Sequence, residues 1–180
     1  GEAFGSAPAD GTLPGQQAVS GYHGKRLVNT FFNSDGTTGR AISKSFRIGH
    51  DYLHILIGGG KHKEETCVNL IIGEKVVESA TGENTEQLKF VTWDMRPYRR
   101  KKAHIEIIDT NQGGWGHILV DDIVFSNSPA PPGQATRAAA RLFEALPFTW
   151  METKVSEKSL MLNNETLLPS VIDPTQVIIK

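Results

Sequence analysis

Thr110–Asp122 reads TNQGGWGHILVDD. Gly113 and Gly114 open a turn, Gly116 follows the tryptophan, and the chain then runs into an apolar stretch closed by two aspartates. Glycine tolerates tight turns and positive φ. The turn therefore presents Trp115 and His117 on a rigid backbone, one with a face for stacking and the other with two hydrogen-bonding nitrogens. Asp121 and Asp122 offer acceptors close by. Side chains alternate along a strand, so this adjacent pair is expected to face opposite sides. Gly58-Gly59-Gly60-Lys61-His62 is a second loop of the same style, also ahead of a strand. Two Gly-rich loops with aromatic and polar side chains, both set between strands, point to a recognition site on a β-scaffold.

Outward from these loops, apolar residues repeat with a period of two. Tyr52–Ile57 (YLHILI) is apolar on both faces and reads as a strand buried on both sides. Cys67–Ile72, Val76–Ala80, Leu88–Trp93, Ala103–Ile108 and His117–Phe125 follow as strands. Upstream, Lys25–Phe32 and Arg40–Ile48 flank the turn NSDGTTG, whose Asp-Gly centre suits a hairpin. Residues 1–24 read as an extended lead-in anchored by Phe4, Leu13 and Val19. About eight short strands with turn signals between them predict an all-β fold, an antiparallel sandwich of the jelly-roll kind. After Ser126 the texture changes. SNSPAPPGQ reads as a linker, and Ala135–Leu146 carries alanines and leucines at helical spacing up to Pro147. Ser159–Leu162 and Gln176–Ile179 are short strand candidates. The expected organisation is a β-sandwich module over 1–126 and a Pro-rich linker, helix and tail over 127–180.

Composition narrows the function. A chain of 180 residues fits one domain with a short appendage. With 19 basic and 20 acidic residues, no global field attracts nucleic acid or an anionic membrane. The basic run Arg96, Arg99, Arg100, Lys101, Lys102 reads as a solvated loop, with no nucleic-acid-binding motif beside it. The single cysteine, Cys67, excludes an intrachain disulfide and a cysteine zinc cluster, and reads as a small buried thiol. No apolar run reaches the ~20 residues of a membrane span.

Catalysis needs a convergent set of groups. The chain has no HExxH, no nucleophile elbow, no phosphate loop and no dinucleotide fingerprint. His54 reads as a satisfied core histidine. Asp94 and Asp109 are carboxylates whose spatial relation the sequence leaves open. A sugar site asks for less: an aromatic face for the C–H side of the ring and a few polar groups for the hydroxyls. Trp115, His117 and His62 meet that demand, with Asn69, Asp121 and Asp122 as helpers. Trp115 is equally suited to plugging one end of the sandwich, and His117 to bracing the loop. Trp93, ending a strand, reads as core. No cofactor is called for; Asp122 is eligible as a ligand to a structural calcium.

The run from about Ala3 to Phe125 resembles the accessory module found with bacterial levanases and other fructan-cleaving β-fructosidases, and in planctomycete multidomain proteins. The pieces that carry the resemblance are AFGSAPADGTLPGQQAVSGYHGKRLVNTFF, FRIGHDYLHILIGGGKHKEETCVNLII, VVESATG, WDM and GGWGHILVDDIVFS. The resemblance implies a non-catalytic sandwich like carbohydrate-binding or galactose-binding-like domains, with His62, Trp93, Asp94, Trp115, His117 and Asp122 at the characteristic positions. Lys61, Gly73-Glu74, the heavy basic run and residues 127–180 depart from the pattern. The resulting expectation is a non-enzymatic module of a secreted or cell-envelope protein. Its partners would be a polysaccharide or oligosaccharide and the neighbouring domains, with no nucleic acid and no membrane insertion. The rival expectation is a structural or protein-interaction module without glycan binding.

Overall fold

The computed structural model describes residues 1–132, together with the backbone of Phe148–Met151, Glu157–Ser159 and Val177–Ile179. The strands are β1 (Val28–Asn29), β2 (Gly39–Ser43), β3 (Phe46–Arg47), β4 (Tyr52–Gly59), β5 (Thr66–Ile72), β6 (Lys75–Thr81), β7 (Thr85–Asp94), β8 (Lys102–Asp109), β9 (Ile118–Ser126), β10 (Phe148–Met151), β11 (Glu157–Ser159) and β12 (Val177–Ile179). Among the described residues there is no α-helix, only two short 3-10 turns. The expected helix at 135–146 lies outside them. No helix among the described residues is long and apolar enough to cross a membrane.

The strands form two antiparallel sheets. One runs β1-β9-β4-β7, with β12 also on β9; the other runs β11-β10-β2-β8-β5-β6, with β3 also on β8. Side chains facing inward from both make the main core: Leu53, Ile55 and Trp93 from the first sheet, Val68, Leu70, Ile105 and Ile107 from the second. Each such side chain contributes about 1.5–3 kcal/mol by leaving water. Trp93 is thus packing, as its place at a strand end suggested.

Two predicted strands change shape. Lys25–Phe32 shrinks to the two residues of β1. Arg40–Ile48 breaks into β2 and β3 along one edge of β8. At the break the Ser43 hydroxyl oxygen accepts the Ile105 N–H at 2.9 Å, so a side chain stands in for the missing ladder partner.

The lead-in is a third layer rather than a tether. Leu27 pairs with Ala9, and Ser20 bridges to Gln87 in β7. This lays residues 9–27 across the outer face of the first sheet. Beneath it Leu27, Leu56, Leu88 and Leu119 are buried, with Val19 and Tyr22 packed on them. That cover explains why β4 is apolar on both faces.

A bulge in β9 overturns one expectation. His54 pairs with Val124 but Leu56 pairs with Asp121, so β9 carries one extra residue opposite Ile55. Asp122 takes it up with φ of 41°. Val120 and Ile123 both face the core. Strict alternation would have sent Asp122 inward between them; the bulge turns it out beside Asp121 instead. The two aspartates do not face opposite sides: both reach His23 of the covering layer.

Candidate functional site

The turn that opens β9 rests on the glycine run ending β4. A Cβ on Gly60 would lie 2.0 Å from the Trp115 carbonyl oxygen, and one on Gly59 2.5 Å from that of His117. The Gly60 N–H donates to the His117 carbonyl at 2.8 Å. The two Gly-rich loops are therefore one feature: the first is bare so that the second can lie against it. His62 extends the contact, its Nε2–H donating to the Gly114 carbonyl at 3.1 Å.

A third loop, 33–38, completes the corner. Asp35 accepts the Trp115 N–H at 3.1 Å with one oxygen and lies 2.6 Å from His117 Nδ1 with the other. Across the ring, His117 Nε2 is 3.2 Å from Glu86 Oε2. Carboxylates accept, so both ring nitrogens donate and the ring is an imidazolium. Burial alone would lower the His117 pKa; hydrogen bonds and charge from Glu86 and Asp35 outweigh it and hold the value above the ordinary range. Glu86 also accepts from Gln16 Nε2 at 3.1 Å, and Gln16 Oε1 accepts from Asn29 Nδ2 at 2.7 Å. The lead-in thus joins the same polar network.

Trp115 is half-buried and lies on this scaffold. One face of its indole stacks on His117, with ring centres 5.7 Å apart and planes at 28°. Phe31 meets the imidazole edge-on at 5.1 Å. Trp115 has φ of 61°, a left-handed conformation unusual for a bulky residue, held by the Asp35 bond and the Gly60 contact.

Behind the turn, Asp109 ends β8 at 0% exposure, and neither carboxylate oxygen has a hydrogen-bond partner among the described residues. Burial drives its pKa up to about 7, against the pull of the Thr30 side chain and the His117 charge; Asp35 adds to the rise.

Of the residues singled out from sequence, Trp115, His117 and His62 converge at this corner. Asn69 does not: it lies on the outer face of the second sheet, opposite Ser79 and Glu106. Asp121 and Asp122 lie farther along β9 with His23. Trp93 is core, and Asp94 is exposed, bonded to Arg96 through both oxygens. His54 is a satisfied core histidine, with Nδ1 2.8 Å from Thr92 Oγ1 and Nε2 3.1 Å from the Ser128 carbonyl. In the basic run, Arg96 pairs with Asp94 and Arg99 with Asp51. Cys67 is a buried free thiol. Sequence reading missed Asp35, Glu86, Gln16 and His23. The one available signal was Asp35-Gly36, read only as a hairpin centre.

Over 130 residues, 72% of its length, the chain is 45% identical to a protein of Aspergillus rugulosus named "Putative glycosyl hydrolase ecdE". It is similar to a part of that protein. The chain spans 18% of the relative's length. No protein-family model and no solved structure matches the chain.

Proposed function

We propose that this chain is a non-catalytic, jelly-roll glycan-binding module and that the Trp115 corner is its binding surface. One observation carries the reading: a half-buried indole, backed on one face by the His117 ring and fixed through its backbone by Asp35. A rigid aromatic platform of this kind suits the C–H face of a sugar ring and loses little entropy on binding. His62 and the polar loop around it line the same rim. The similarity to a stretch of a protein named as a glycosyl hydrolase fits a glycan-related role. The resemblance to levanase-associated modules makes fructan the first ligand to try. It also favours a secreted or envelope setting, where binding would concentrate a larger parent protein on its polysaccharide.

The non-catalytic part rests on the carboxylates. Glycoside hydrolysis uses an acidic pair that reaches the scissile bond from two sides. Here Asp35 and Glu86 are spent on His117, and Asp109 is sealed from solvent. Titration calorimetry of the chain against levan, inulin and fructose, with galactan and xylan as controls, tests the proposal. Dissociation constants in the micromolar to millimolar range are expected, on the order set by the small surface a sugar buries. Trp115→Ala should abolish binding while keeping the fold. Binding that survives in a folded Trp115→Ala protein, or turnover of chromogenic glycosides, would overturn it.

A further inference from the structure

The bulge in β9 gathers a second constellation, separate from the Trp115 corner. A ring nitrogen of His23 and one oxygen each from Asp121 and Asp122 lie within 4.8 Å of one another. His23 Nδ1 is 2.8 Å from Asp122 Oδ2, and the His23 backbone N–H donates to Asp121 Oδ2 at 2.7 Å. Asp121 and Asp122 are 6% and 1% exposed. The His23 side chain is 24% exposed, so the cluster opens to solvent on that side. His23 comes from the covering layer and the aspartates from the sheet, 98 and 99 positions away in sequence. The Phe90 ring, 6.3 Å away and near-parallel, holds the imidazole from β7.

We infer that His23, Asp121 and Asp122 bind a divalent transition ion, Zn2+ more tightly than Mn2+, that clasps the covering layer to β9. The donor set selects the ion class. An imidazole nitrogen suits zinc and its neighbours, whereas calcium prefers six to eight oxygens. Two ligands on adjacent positions of a metal with bonds of about 2.1 Å are separated by about 3 Å at octahedral and about 3.4 Å at tetrahedral angles. The gap of 2.8 Å between His23 Nδ1 and Asp122 Oδ2 is near the first and opens by about 0.6 Å to reach the second. An ion would lie between these two atoms with the Asp121 oxygen beside it, and water reaches the remaining positions from the His23 side.

The test uses the untagged full chain, stripped with chelator and titrated separately with zinc, manganese, calcium and magnesium chlorides. Calorimetry should show one zinc per chain, and thermal unfolding should move upward with zinc. Protease cleavage within residues 1–27 should slow in parallel. His23→Gln, at a part-exposed position, should weaken zinc binding by at least about tenfold. His62→Gln should leave it unchanged. Asp121→Asn is read beside His23→Gln, so the outcome does not hang on one variant folding; circular dichroism confirms the fold of each. Absence of stoichiometric zinc binding, or binding unchanged in folded His23→Gln protein, would overturn the assignment.

Discussion

Asp109→Asn should make the protein more stable, and by more at alkaline than at acid pH. The carboxyl titrates near its ordinary value of 3.8 when unfolded and at about 7 when folded. A carboxyl whose folded value is raised binds its proton more tightly in the native state. Its cost to stability is absent well below pH 4, grows as pH rises between the two values, and levels off above 7. The shift corresponds to a cost of about 2 kcal/mol at pH 5 and about 4 kcal/mol at pH 8. The amide has nearly the carboxyl's shape and does not titrate in this range. Any constant difference from burying it unpaired cancels in the comparison between pH values. Urea unfolding of both proteins at pH 5 and pH 8 measures the effect. The stability gap between variant and wild type should widen by about 2 to 3 kcal/mol across that interval. A gap that does not change with pH would show that Asp109 is not held protonated. Its buried oxygens would then have to be satisfied in a way the placement of Thr30 and His117 does not provide.

His117 acts in the same direction on wild-type stability for a different reason. Its folded pKa is raised, so its contribution is complete below the unfolded value of about 6.5 and is lost as pH rises through the folded value. His117→Gln should remove that alkaline decline, and an unchanged slope of stability against pH from 6 to 9 would refute the imidazolium. Gly60→Ala should cost about 2 kcal/mol or more, because its methyl would meet the Trp115 carbonyl at 2.0 Å. Gly114→Ala, with nothing within 4 Å, should stay within about 0.5 kcal/mol; thermal unfolding that failed to separate the two would break the account of the paired loops. Ser43→Ala strips the Ile105 N–H of its acceptor in the core and should cost about 1–3 kcal/mol in denaturant unfolding.

The strands were legible wherever burial on a face left its period-two mark. Tyr52–Ile57 showed apolar residues on both faces, and both faces are covered. Its second cover, residues 9–27, was not legible. That segment lies down through backbone bonds from Ser20 to Glu86 and Leu88 and through a few spaced side chains, none of which gives a period. The corner was half legible for a related reason. Trp115, His117 and His62 stand out because glycines surround them. Asp35 and Glu86, 82 and 31 positions from His117, carry no local sign of partnership.

The most informative failure is at Asp121 and Asp122. Alternation rightly predicts that neighbours on a regular strand diverge, and it would have buried a carboxylate between Val120 and Ile123. A charge there would face the apolar core at a cost of several kcal/mol. Inserting one residue with φ of 41° costs about 1–2 kcal/mol. The smaller cost prevails, so the backbone yields rather than the core. In β9 the bulge is what brings two acidic side chains to one face, opposite a histidine from another layer. The local rule broke at the position where metal-ligating side chains converge. The Trp115 corner shows the same coincidence: a tryptophan with a left-handed backbone stands where we propose that glycan binds.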